Sequence, residues 1–201
     1  MISFDRKFIF TKIGKTGGTS IQNDLLKQTK SYDHLNHWHI TEDLNGHDPS
    51  KYFKFAFIRN PWDRMVSKWF FIQQGFDFQE HYYGHTFRDY ILDTENKFKL
   101  KPCEKHSPKI TELHNKVSPW DTYTDWISNE DGEILCDFVG RFENLQVDYN
   151  RICDIIGIDK TILPIINKTD REDYRIYYDD DMIEVVANKY KKDIKLFKYE
   201  F

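Results

Sequence analysis

Two stretches of this chain, Lys7–Ser20 and Phe55–Ser67, constrain its fold more than any others. Each begins as a short apolar run, passes through a polar turn, and continues with helical spacing. In the first, Phe8, Ile9, Phe10 and Ile13 suit a buried strand. Gly14–Gly18 forms the turn, and Thr19 or Ser20 is placed to cap a helix that carries Ile21, Leu25 and Leu26. In the second, Tyr52–Ile58 reads as a strand and Pro61 as a first-turn proline, followed by a helix bearing Met65, Val66, Trp69, Phe70 and Ile72. Strand, turn and helix in alternation predict an open parallel α/β sheet.

The remainder is consistent with one domain spanning 1–201. The pattern predicts a short capped helix start at Thr41–Leu44 and a helix near 86–94, with long loops through the rest of 75–120. Tyr123–Ser128 and Glu133–Gly140 flank Asn129-Glu130-Asp131-Gly132, a hairpin-type turn signal, although the second stretch is equally able to join the main sheet. An amphipathic helix is expected over Leu145–Ile156, stopped by Gly157. Another is expected over Asp181–Tyr190, then a short turn at Asp193–Phe197.

Composition removes several classes of function. Lys plus Arg total 29 against 33 Asp plus Glu, a net charge of −4, which disfavours a general nucleic-acid binder. An anion site must therefore come from local concentration of cations. The three cysteines, Cys103, Cys136 and Cys153, have no CxxC spacing and suggest neither a disulfide framework nor a zinc centre. No cluster with metal-ligand spacing is evident. No apolar run is long enough for a signal peptide or a membrane span, so a cytoplasmic location is expected.

The chemistry concentrates at the two turns. Gly17 and Gly18 allow close backbone approach at a helix start, where N–H groups and the helix dipole attract an anion. Thr16, Thr19 and Ser20 add hydroxyls, and Lys15 adds a mobile charge. Gly14-Lys15-Thr16 is similar to the end of a nucleoside-triphosphate loop, but Ile9 stands where that pattern requires its first glycine. At the second turn Arg59 is placed at the carboxyl edge of the sheet, where open α/β sheets bind ligands. With Ser67 it can hold a phosphate through charge-assisted hydrogen bonds. The competing reading pairs Arg59 with Asp63 and leaves Ser67 on a solvated face.

Together these segments resemble the PAPS-dependent sulfotransferase superfamily, in particular its carbohydrate (uronyl-type) members, sulfotransferase family 2. PAPS is 3′-phosphoadenosine 5′-phosphosulfate. Lys15-Thr16-Gly17-Gly18-Thr19-Ser20 resembles the 5′-phosphosulfate loop, and Phe57–Ser67 resembles the 3′-phosphate motif. Asp137–Leu145 and the ending Tyr190–Phe201 extend the resemblance, which is poorest across 75–120. Gly14 departs from the proline usual there. The resemblance implies a P-loop-like open parallel sheet flanked by helices on both faces. It implies that Lys15, Thr16, Gly17, Gly18, Thr19 and Ser20 hold the 5′-phosphosulfate, and that Arg59 and Ser67 hold the 3′-phosphate. Lys168 and Arg171 belong to a late loop that would close over the nucleotide, or to a solvated charged loop.

Sulfuryl transfer, like phosphoryl transfer, proceeds by in-line attack and relies on positioning and electrostatics. Lys15 is suited to neutralise the leaving oxygen, and no metal is required. Of the eight histidines, His39, which precedes Ile40-Thr41-Glu42-Asp43-Leu44, resembles the base of the uronyl-type members. His37 is the next candidate. His81, His85, His106 and His114 lie where the family places acceptor contacts. The expected partners are PAPS or its product 3′-phosphoadenosine 5′-phosphate (PAP) and a hydroxyl acceptor, a glycan or small glycoside. Two alternatives remain: a P-loop-type kinase of a small molecule, and a non-catalytic nucleotide-binding protein.

Overall fold

The computed structural model describes residues 1–33, 40, 48–74, 85–93, 121–166 and 170–201. They fall into two compact units, Met1–Arg59 with Tyr123–Lys168, and Asn60–Thr122 with Thr169–Phe201. The expected helix start at Thr41–Leu44 lies outside the described residues, as does most of 75–120.

The first unit is built on a five-stranded sheet. Its strands are β1 (Ile2–Ser3), β2 (Phe8–Thr11), β3 (Tyr32–Asp33), β4 (Phe53–Ile58) and β5 (Phe138–Arg141), in the order β3-β1-β2-β4-β5. The three central-to-edge strands β2, β4 and β5 are parallel, whereas β1 and β3 are added antiparallel. The sheet is therefore mixed rather than purely parallel, an open α/β sheet flanked by helices. Two-residue strands such as β1 and β3 carry no periodicity for a sequence to announce.

Side-chain alternation decides what each face meets. Phe8 and Phe10 of β2 and Phe55 and Phe57 of β4 point to one face. There they join Ile21 and Leu25 of α1 (Gly18–Gln28) and residues of a later helix in a single buried cluster. Phe10 and Phe55, paired across the strands, stack with centroids 5.1 Å apart. Two short helical segments follow in this unit: α4 (Tyr123–Ile127) and α5 (Leu145–Ile156). The latter supplies Tyr149, Ile152, Cys153 and Ile156 to the same cluster and stops at Gly157, φ 68°, as its sequence predicts.

The hairpin signal at 129–132 is only partly realised. Asn129–Gly132 does turn, and Ser128 and Ile134 form one antiparallel bridge. The first flank is a helix, however, and the second continues into β5 beside β4. Burial of Trp126 and Ile127 holds the first flank as a helix rather than as a hairpin strand.

The second unit is helical among its described residues. It contains α2 (Pro61–Gln73), α3 (Phe87–Leu92), α6 (Asp180–Lys189) and α7 (Lys191–Phe197). The expected turn at Asp193–Phe197 is thus a helix. Arg64 is buried, donating to the Asp121 carbonyl and the Tyr190 hydroxyl, both at 2.9 Å. Phe201 receives the edges or faces of Trp62, Tyr174 and Tyr178. No helix among the described residues is long and apolar enough to cross a membrane.

Candidate active site

The loop that leaves β2 is shaped by its backbone. Lys15 has φ 67° and Gly17 has φ 81°, so two residues of the turn occupy the left-handed region. For Lys15 this conformation is uncommon, because a Cβ crowds its neighbouring carbonyl there. Gly17 is required twice over. Its φ favours glycine, and a Cβ would come within 2.9 Å of Leu145 Cδ2 and 3.3 Å of Phe142 Cδ2. The loop is thereby pressed against the start of α5.

Helix α1 begins at Gly18, with Gly17 as its N-cap and no side-chain cap. The expectation that Thr19 or Ser20 caps it is corrected: both lie inside the first turn. The N–H groups of Ser20 and Ile21 reach the Gly17 carbonyl at 3.1 and 3.3 Å. Those of Gly18 and Thr19 precede any intrahelical acceptor, as first-turn donors do. This is a backbone surface able to receive an anion.

Thr16 contributes differently from what its hydroxyl suggests. It is buried, and its Oγ1 donates to the Ile13 carbonyl at 2.9 Å. A hydroxyl has a single proton to give. Thr16 therefore fastens the loop, and what it can offer an anion is its main-chain N–H. Ser20 is buried in the first turn of α1, and Thr19 is half-buried beside it.

Arg59 follows β4 and turns back to this loop. Its Nη1 donates to the Lys15 carbonyl at 3.3 Å, and its guanidinium lies over the Phe142 ring at 3.9 Å. The Tyr123 hydroxyl donates to the Arg59 carbonyl. The residue is thus held from both ends, with its planar cation against an aromatic face. The two sequence motifs meet here, within one unit: the cation of the second touches the backbone of the first.

Ser67 lies on α2, in the other unit, and is 6% exposed, so it is not on a solvated face. Asp63 of the same helix forms an ion pair with Arg171, and both side chains are largely buried. Arg171 is therefore part of the packing of its unit rather than of a solvated charged loop. His39, His37 and Lys168 lie outside the described residues.

Phe142 and Gln22 near the loop were not expected as part of a site, whereas Lys12 is the cation expected to neutralise the leaving oxygen should Lys15 not do so. Phe142 carries Arg59 and lines Gly17. It is in the Asp137–Leu145 block, but nothing in the sequence ties that block to a particular arginine. Lys12 and Gln22 form a second feature. Lys12 Nζ donates to Gln22 Oε1 at 2.7 Å, and burial lowers the lysine pKa from its ordinary 10.5.

The family model described as the sulfotransferase family matches residues 1–200. The chain belongs to the sulfotransferase family. A protein of Archaeoglobus fulgidus described as uncharacterized is 25% identical over 124 residues, covering 62% of this chain and 83% of that protein. No solved structure matches the chain. Family membership supports sulfuryl transfer as the general activity, and the mixed α/β sheet with its glycine-lined loop accords with it.

Proposed function

We propose that this sulfotransferase takes its sulfuryl group from PAPS and gives it to a hydroxyl of a carbohydrate acceptor, with residues 1–201 acting as one domain. The observation that carries this reading is the bond from Arg59 to the Lys15 carbonyl. It brings a fixed cation to an uncapped helix start, two anion-attracting features of different kind. PAPS carries anionic groups at two separate positions of its ribose, and a donor set of N–H groups and cations fits them.

The residues divide the work. Main-chain N–H groups of Thr16, Gly17 and Gly18, with the hydroxyls of Thr19 and Ser20, bind the 5′-phosphosulfate. Arg59 and Ser67 bind the 3′-phosphate, and Lys168 supplies a further cation to the nucleotide. As the acceptor oxygen attacks sulfur, the bond from sulfur to the bridging oxygen breaks and its electrons pass to PAP. Lys15 balances the charge that gathers on that leaving oxygen. His39 takes the proton from the acceptor hydroxyl, and no metal takes part. Replacing His39 by Ala is then expected to slow turnover roughly 10²–10⁴-fold while leaving PAP affinity unchanged. Retained turnover in that variant, with loss in a His37 variant, moves the base to His37. The carbohydrate acceptor rests on the resemblance to uronyl-type members.

The deciding experiment is calorimetric titration with PAP, AMP and ADP, followed by radiolabelled PAPS with a panel of glycans and small glycosides. Strong preference for PAP and label transfer to a sugar hydroxyl are expected. Equal affinity for PAP and AMP defeats the assignment. Tight ATP binding with magnesium-dependent phosphoryl transfer favours a kinase instead, and PAP binding without transfer to any acceptor favours a nucleotide-binding protein.

A further inference from the structure

Lys12 follows directly on β2, and its parity continues that of Phe8 and Phe10, the residues turned toward α1. Its stem runs across the first residue of that helix. A Cβ on Gly18 would stand 2.8 Å from Lys12 Cγ and 3.6 Å from Cδ and Cε. The glycine at this position is thus required by a lysine stem, and not only by a ligand. The ammonium then reaches Gln22 Oε1 at 2.7 Å, and Gln22 is itself buried. Long side chains on a helix lean toward its N-terminus, so this meeting point lies over the first turn of α1.

The partner is the unusual part. A half-buried ammonium is ordinarily matched by a carboxylate, because a neutral amide does little to offset lost hydration. No ion pair joins Lys12 to a carboxylate among the described residues. An ammonium has three donors, and Gln22 takes one. Among the described residues this leaves a partly dehydrated cation with two further donors to give, beside the start of α1, which has no side-chain cap.

We propose that Lys12 is a second binding cation of the loop, contacting the 5′-phosphate end of the nucleotide while Gln22 holds its ammonium in place. The assignment rests on the PAPS reading above and adds to it a residue outside the loop motif. Gln22 serves as a positioning residue, acting through Lys12.

Two ligands separate this contact from the rest of the site: PAP, which has a 5′-phosphate, and adenosine 3′-phosphate, which lacks one. Calorimetry is performed on the full chain, with Lys12→Met as the variant of similar volume and Lys12→Gln as the second should the first fail to fold. PAP affinity is expected to fall roughly 10–100-fold, the range for one charge-assisted hydrogen bond, with adenosine 3′-phosphate unchanged. The ligand-free variant is also expected to melt no lower than wild type, since a poorly matched cation has been removed. Unchanged PAP affinity overturns the proposal. Equal weakening of both ligands overturns it as well, since Lys12 then acts only through the fold. If wild type binds adenosine 3′-phosphate and PAP equally, the phosphosulfate loop itself is misassigned, a result distinct from any effect of the variants.

Discussion

The turns that follow β2 and β4 are topological equivalents, each leading from a parallel strand into a helix, yet they are finished in opposite ways. After β2 the backbone enters the left-handed region twice and α1 starts with no side-chain cap. After β4 the start of α2 is closed by its own residues. Asn60 Oδ1 accepts from the N–H groups of Trp62 and Asp63, at 3.1 and 3.4 Å, and Pro61 has no N–H to satisfy. The first turn leaves the Gly18 and Thr19 N–H groups at the start of α1 with no side-chain cap among the described residues. The second uses its first-turn donors internally, so under the proposed function the 3′-phosphate would be held by side chains rather than by main-chain N–H groups. One group would be bound by main chain and the other by side chain.

The largest effect expected from this contrast is on turnover. Lys15 holds a left-handed conformation that glycine adopts without strain and that costs an L side chain about 1–3 kcal/mol. Lys15→Gly should therefore keep or modestly raise stability, while kcat falls roughly 10²–10³-fold, as for loss of one preorganised transition-state donor. Thermal melting and steady-state sulfate transfer measure both. A variant that keeps its turnover would place charge neutralisation elsewhere.

Next in size is Arg59→Ala. If the second turn grips by side chain, PAP binding weakens by about 1.5–3 kcal/mol, the range for a hydrogen bond to a charged group, and AMP binding stays near its wild-type value. A comparable loss for AMP would mean that Arg59 works mainly by holding the Lys15 carbonyl, and the contrast between the turns would collapse.

A paired test of the two helix starts is smaller. Asn60 also donates to the Glu200 carbonyl at 2.8 Å, so Asn60→Ala removes the α2 cap and a tie to the chain's last residues. The expected cost is about 1–2 kcal/mol of stability. Gly17→Ala should cost about 1–3 kcal/mol through its left-handed backbone and its contact with Leu145. The discriminating quantity is affinity per unit of stability lost. Gly17→Ala should weaken PAP beyond what its melting shift predicts, and Asn60→Ala should not.

How much of this was readable beforehand differs between the two turns as well. The strands, the first-turn proline and the helix ended by Gly157 were legible because periodicity and caps are local properties. So was the course of the first loop, from strand through a glycine turn into a helix. The antiparallel β1 and β3 were not, since two residues carry no pattern. Tyr123–Ile127 was misjudged because its helical state depends on burying Trp126. The use of the Thr16 hydroxyl on Ile13, and the meeting of Arg59, Phe142 and the Lys15 carbonyl, are tertiary facts. No spacing rule contains them.

The smallest expected effect concerns Lys12, and it bears on why the first turn is kept open. Burial lowers the Lys12 pKa below the 10.5 of an exposed lysine, so between the two values the unfolded chain binds more protons than the folded one. Stability contributed by this residue must then rise with pH across that interval. It is lowest where Lys12 is charged in both states and restored once both are neutral. Its closest hydrogen-bond partner, Gln22, does not titrate, and the nearby amino group of Met1, lowered to about 5 by burial and by Lys12, has already lost its proton at alkaline pH. Denaturant melts of wild type and Lys12→Met from neutral pH to above 10.5 isolate the effect. The variant should be the more stable near neutrality, and its advantage should shrink steadily as the pH climbs. An advantage that is absent, or that grows with pH, would show that the folded protein already satisfies this cation and that the open helix start does not depend on it.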